Sequence, residues 1–222
     1  MSDDPPLLHR DDPAREPLGG HVKVTREDWL TQARDTLVRD GAAQVKILTL
    51  AERMGVSRSS FYWYFGNRAD LLAALLDEWE TRNTASITGQ CGLEAANITE
   101  AVCNFFRCFI DPSLFDSGLD FAVREWSRRD TALRARVDAA DAARLGAVTA
   151  MFARHGFDAT EADARARSLY YMQLGYHALD GREPMDDRLA RVGAYLKGFT
   201  GQVPDARAVQ AFAKDVDRLA LT

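Results

Sequence analysis

Apolar residues recur along this chain at intervals of three and four, and a strict alternation never persists. Trp29, Ala33 and Leu37 make one such stripe ending near Gly41, with Thr25 and Asp28 spaced as a capping box in front of it. Residues 46–54 predict a short second helix stopped by Gly55. Ser57 can cap a third, and Asn67 a long fourth carrying Leu71, Leu72, Leu75, Leu76 and Trp79. The same spacing predicts helices near 94–110, 118–129, 131–155, 160–180, 186–200 and 205–220. Asp130 and Thr160 stand as N-caps, His155-Gly156 before Phe157 as a glycine stop, and Pro112, Pro184 and Pro204 as breaks. Residues 1–20, with four prolines and Gly19-Gly20, read as a disordered arm. The fold class is all-α.

One stretch does not fit an ordinary amphipathic helix: LAERMGVSRSSFYWYF, residues 50–65, in which five aromatic side chains follow one another. Leu50, Ala51 and Met54 fall on one face of the short helix, where they can pack on Val56 and Phe61. Ala51 is small enough for two helices to approach closely, and Gly55 suits the tight turn between them. Helical spacing then puts Phe61 and Phe65 in the core and turns Arg58, Ser59, Tyr62 and Trp63 outward, with Tyr64 at the helix end. A bracing helix, a turn and a second helix with polar residues at its start form the helix-turn-helix arrangement, whose second helix enters the DNA major groove.

Charge sharpens this picture. The 222 residues carry a net charge of −5, with 46% apolar and 27% charged residues, an ordinary globular balance. Residues 21–72 nevertheless hold eight Lys/Arg against six Asp/Glu, while the arm and the remainder are acidic. A modestly basic head on an acidic body suits a small DNA reader. The chain therefore divides into the arm (1–20), a DNA-binding head (21–72) and a helical body (73–222). No run of about 18 apolar residues predicts a membrane span, and no secretory signal opens the chain, so the expected location is the cytoplasm. Cys91, Cys103 and Cys108 lack C-x-x-C spacing and read as free thiols, and the four histidines lack metal-ligand spacing. No metal or cofactor is expected. No nucleophile elbow, phosphate loop, dinucleotide fingerprint or zincin motif supports an enzyme.

The segment 25–76 resembles the DNA-binding domain of the TetR family of transcriptional regulators, through LAERMGVS, then SFYWYF, then NRADLLAALL. The resemblance implies a recognition helix from Ser57 to Trp63, with Arg58, Ser59 and Ser60 nearest the bases. Tyr62 and Tyr64 would contact phosphates, and Trp63 would lie against sugar or a thymine methyl. Arg68 stands where the family usually has a phosphate-holding lysine, a change that a forked guanidinium tolerates. Two positions depart from the pattern. Lys46 replaces a capping Thr or Ser, though its ammonium could meet a phosphate, and Leu48 replaces a residue often polar or basic.

The body needs a purpose of its own. Helix 160–180 carries Ala164, Ser168, Gly175 and Ala178, and helix 186–200 carries Leu189, Val192, Leu196 and Phe199. The resemblance implies that these two helices meet their copies in a second subunit. It also implies a ligand cavity among the rings of the middle of the chain. Candidates for its lining are Phe105, Phe109, Phe121, Trp126, Phe152, Tyr171 and Tyr176, with Arg124, Glu125, Gln173 and His177 as polar groups. The expected function is that of a homodimeric repressor released from a palindromic double-stranded DNA operator by an apolar or aromatic effector. The alternatives are an all-helical ligand sensor that does not touch DNA, and redox control through Cys103 or Cys108.

Overall fold

Helix starts are fixed by side chains that accept the otherwise unpaired first N–H groups. In the computed structural model, which describes residues 24–179 and 183–220, Thr25 opens α1 (Arg26–Asp40). Its hydroxyl accepts from the Asp28 amide at 3.2 Å, while the Asp28 carboxylate accepts from the Thr25 amide at 2.7 Å. After Gly41 a single 3-10 turn (Ala42–Gln44) leads into α2 (Ile47–Met54). A second 3-10 helix (Arg58–Trp63) follows, capped by Ser57, and then α3 (Arg68–Trp79), capped by Asn67. A π-helical turn (Glu80–Thr84) joins α3 to α4 (Ala85–Gly92) without a break.

The rest is α5 (Ile98–Ile110), α6 (Ser117–Ser127), α7 (Thr131–Arg154), α8 (Ala159–Ala178), α9 (Met185–Thr200) and α10 (Ala206–Ala220). There are ten α-helices and no strand among the described residues. Asp130 caps α7 as expected, accepting from the amides of Ala132 and Leu133. For α8 the cap is Asp158, which accepts from the Glu161 amide, and the expected Thr160 lies inside the first turn. A carboxylate at that end also complements the helix dipole, which a hydroxyl does less well. The α7 stop forms as predicted: Gly156 has φ +88° and the rings of Phe152 and Phe157 meet edge to face at 5.4 Å. The predicted arm, 1–20, lies outside the described residues.

Two hydrophobic cores result. The first gathers Trp29, Leu37, Leu50, Phe61, Phe65, Leu71, Leu75 and Trp79, and continues into Leu119 and Val123 of α6 and Leu133, Val137 and Ala140 of α7. It thus spans the expected division at residues 72 and 73. Contact there is close: a methyl group on Gly118 would lie 3.1 Å from Val38 Cγ1, so α6 seats directly against α1. The second core joins α4 and α5 to the later parts of α7, α8, α9 and α10. Leu189, Val192, Leu196 and Phe199 pack on this second core. The α9 stripe expected at a subunit interface therefore faces inward, because α9 must cover α5 and α8.

α2 ends at Gly55, whose φ of +66° is left-handed and whose N–H reaches the carbonyls of Ala51 and Glu52. An L-residue there costs about 1–2 kcal/mol. Gly55→Ala should lower the unfolding free energy by about that amount, read from the midpoint of a urea titration at unchanged slope.

Candidate nucleic-acid interface and ligand cavity

The row of five aromatic residues is sorted by packing. Phe61 and Phe65 are buried and stack on each other at 5.4 Å, with Trp29 edge-on to Phe61 at 5.2 Å. Tyr62 and Trp63 point away, 56% and 84% exposed. Arg26 lies over the Phe65 ring at 5.1 Å, and Arg53 ties α2 to α1 by donating to Thr36 Oγ1 at 2.8 Å and Asp40 Oδ2 at 2.7 Å. The exposed segment is thus held from beneath, on a head whose α1 and α2 are tied to each other.

Arg58, Ser59, Tyr62 and Trp63 are each exposed, as are Lys46 before α2 and Leu48 within it. Lys46 sits at the N-cap of α2 and makes no capping bond, as its chemistry requires. The recognition segment is a 3-10 helix. Its serines bond locally: Ser57 Oγ accepts from the Ser59 amide at 3.1 Å and pairs with Ser59 Oγ, while Ser60 Oγ donates to the Ser57 carbonyl at 2.7 Å. Such side-chain bonds compete with the α-helical ladder. Tyr64 is 38% exposed, and its hydroxyl donates to the Val24 carbonyl at 2.7 Å. Arg68 is half-buried and donates Nε to the Val45 carbonyl at 2.5 Å and Nη2 to the Ala42 carbonyl at 2.6 Å. Those two bonds pin the turn before α2, so Arg68 is first a brace of the head, a role the resemblance did not imply.

A cavity of about 70 Å³ opens in the body. Its wall is apolar and comes from four helices, with Phe106, Phe109 and Ile110 of α5, Met172 and Tyr176 of α8, Leu189, Val192 and Tyr195 of α9, and Phe212 and Val216 of α10. Gln173 supplies a buried amide, and its Nε2 lies 2.8 Å from His177 Nε2. Charge gathers at one side of the wall: Glu183 is paired with Arg191, and Arg188 lies over the Tyr176 ring at 4.7 Å. Burial holds the His177 imidazole below its ordinary range, and Arg188 pushes it further down.

The eleven residues expected to line one site are not brought together, and Arg124 lies with Phe121, Glu125 and Trp126 outside the cavity. Phe109, Gln173 and Tyr176 line the cavity, and His177 stands behind Phe109 with its ring centroid 5.4 Å away. Phe105 and Phe152 are fully buried core. Phe121, Glu125 and Trp126 line a separate cleft between α6 and the head, which Arg68 also borders. Tyr171 is half exposed on the outer side of α8, in a groove against α7. The rotation of α6 and α8 places Trp126 and Tyr171 away from the cavity. Sequence reasoning missed Phe212 and Val216; their four-residue spacing on α10 was the available signal.

Between the two cores lies a buried charge cluster. Asp120 and Arg144 are both fully buried and paired at 2.9 Å. Arg124 joins Asp120 to Asp141 with bonds of 2.8 and 2.6 Å, and the Tyr170 hydroxyl donates to Asp141 at 2.6 Å. Burial alone would raise the Asp120 carboxyl, but Arg144 and Arg124 outweigh it and hold the group below the usual carboxylate range.

No group of three metal-binding side chains and no helix long and apolar enough to cross a membrane occurs among the described residues. Residues 30–75 match the model of the bacterial regulatory proteins of the tetR family. The HTH-type transcriptional regulator TtgR of Pseudomonas putida is 38% identical over 56 residues, which is 25% of this chain and 27% of that protein. The alignment thus spans about a quarter of that relative's length. Among solved structures, the fatty acid degradation regulator FadR from Bacillus halodurans superposes with a TM-score of 0.57 at 18% identity, over 80% of this chain and 95% of that one. Salmonella enterica GusR gives a TM-score of 0.53 at 14% identity, over 94% and 98%. Identities this low speak for the shared fold alone.

The three thiols are free and buried. Burial pushes Cys91 and Cys103 up to about 12, and Cys108 up as well. A thiol held protonated is a poor nucleophile and a poor redox sensor. Native protein should therefore leave an aromatic disulfide reagent unconsumed, whereas all three thiols should react once denaturant is added. Reaction of Cys103 or Cys108 in native protein would restore the redox reading.

Proposed function

We propose that this chain, which belongs to the TetR family of bacterial regulatory proteins, is a homodimeric transcriptional repressor. It binds a palindromic DNA operator and releases it when a small apolar molecule fills the cavity. The observation that carries the reading is the outward row Arg58, Ser59, Tyr62 and Trp63, set on a segment whose other side is locked by Phe61 and Phe65. Such a segment is held rigid by its packing and leaves its polar and aromatic groups for a groove. Arg58 can fork onto a guanine edge, Tyr62 can meet a phosphate, and Trp63 and Leu48 offer apolar contact to sugar or a thymine methyl.

Dimerisation is supported by the outer faces of α8 and α9. Ala164, Ser168 and Ala178 are exposed on α8, and Ala190, Ala194 and Gly198 on α9. A methyl group added to Gly175 or Gly198 would meet nothing within 4 Å. Small exposed residues let a second copy approach closely, and a two-fold pair of heads fits half-sites about 34–36 Å apart or a multiple of that. An effector releases DNA only by binding the state that does not fit the operator more tightly than the state that does. The largely apolar wall, with one buried amide and charge only at the Glu183 and Arg188 side, supports an apolar or aromatic effector.

The operator is found by selecting duplexes from a random pool, and its variants then test the roles. Arg58→Ala should relax preference at one base pair per half-site, with a loss of about 1–3 kcal/mol of discrimination. Arg68→Ala should weaken all duplexes alike and also lower the melting temperature of the free protein, because two bonds to the α1–α2 connection go with it. Identical, sequence-independent losses from both would remove Arg58 as a base reader. Gly175→Arg should convert the dimer to monomer in sedimentation and abolish tight operator binding; an unchanged dimer would move the interface off α8.

A further inference from the structure

The π turn Glu80–Thr84 and the buried Arg144–Asp120 pair occupy the same place, and their bonds run in two directions. Toward the head, Asp120 Oδ1 accepts from Trp79 Nε1 at 2.7 Å, from Arg144 Nη1 at 2.9 Å and from Asn83 Nδ2 at 3.5 Å. Arg144 Nε donates to Thr84 Oγ1 at 3.0 Å, and its guanidinium lies over the Trp79 ring at 5.1 Å. Trp79 closes the core of the head, so this one cation grips both ends of the turn that joins head to body. Toward the cavity, the same guanidinium lies 5.7 Å from the Phe115 ring. Phe115 packs on Phe109 at 4.8 Å, and Phe109 lines the cavity. Two rings separate the cavity from Arg144.

Fully buried pairs add little net stability over well-packed apolar residues, and their best-attested use is to fix one arrangement against another. π turns inside a helix concentrate at functional positions. Arg144 Nη2 is buried and has no hydrogen-bond partner among the described residues, so this arrangement leaves one donor unused.

We propose that the Arg144–Asp120 pair is the joint that converts filling of the cavity into movement of the head, by holding or releasing the π turn. The proposal rests on the cavity being the effector site. Arg144 and Asp120 are positioning residues that touch neither effector nor DNA.

The test uses the full chain, 1-anilinonaphthalene-8-sulfonate as the apolar probe, and amide hydrogen exchange read by mass spectrometry. In the unmodified protein, probe binding should slow exchange in 105–110 and 172–177 and change it by about threefold or more in 80–84 and 47–63. Arg144→Met combined with Asp120→Leu removes both charges, so neither is left alone in the interior. This variant should bind the probe with affinity within about threefold of the original and keep the response at 105–110 and 172–177. It should lose the response at 80–84 and 47–63. Phe115→Leu cuts the ring contact without touching a charge and should do the same. Head segments that respond in both variants as in the original overturn the joint. A cavity response without any head response in the unmodified protein overturns the joint and spares the cavity. Absence of a cavity response there removes the cavity reading, and the joint falls with it.

Discussion

A carboxylate inside a protein is tolerable only where donors surround it, and Asp120 meets that condition between two hydrophobic cores. Its oxygens receive an indole N–H, an amide and two guanidinium groups from α3, the π turn, α6 and α7. Those donors converge only if the four elements meet at one angle, so the demand of a single charge fixes how the head is carried on the body. Removing one partner would strand the other, which makes the arrangement intolerant of half measures. The hydrophobic cores on either side supply most of the cohesion; the charge cluster supplies the alignment.

Within the head the corresponding constraint is apolar. Phe61 touches Trp29, Phe65 and Tyr62 by its ring and has no exposure. Around that ring α1, α2 and the 3-10 helix assemble, and Arg53 and Arg68 fasten the remaining edges through Thr36, Asp40, Ala42 and Val45. The body is built differently. Four helices stand around a gap that their aromatic side chains do not fill, with polar groups admitted at Gln173 and near Glu183 and Arg188.

Much of this was legible in the chain, where a local rule decides the outcome. Thr25 with Asp28, Asn67, Asp130, Gly55 and Gly156 each act within a few residues, so their roles follow from spacing. The inward Phe61 and Phe65 follow from α-helical spacing, which holds locally because Phe65 lies beyond the 3-10 helix and its amide donates to the Phe61 carbonyl at 3.1 Å. What escaped depends on distant partners. Asp120 looks like any carboxylate on an amphipathic helix until Arg144 meets it from another helix. Trp126 and Tyr171 are large rings on half-polar helices, and only tertiary packing decides which side of α6 or α8 faces a cavity. Asp158 displaced Thr160 because two acceptors lay within reach and the charged one suits a helix start better.

The separation of duties along Phe61-Tyr62-Trp63-Tyr64-Phe65 has a consequence for how such a protein diversifies. The residues that hold the segment flank those that face outward, and the ring of Phe61 meets the outward set at the edge of Tyr62. Arg58 and Trp63 can therefore be exchanged with little penalty to folding, while Phe61 and Phe65 stay fixed. Duplicated copies of the gene can drift toward new sequence preferences through many viable intermediates, each one folded, and a laboratory library randomised at those positions inherits the same freedom.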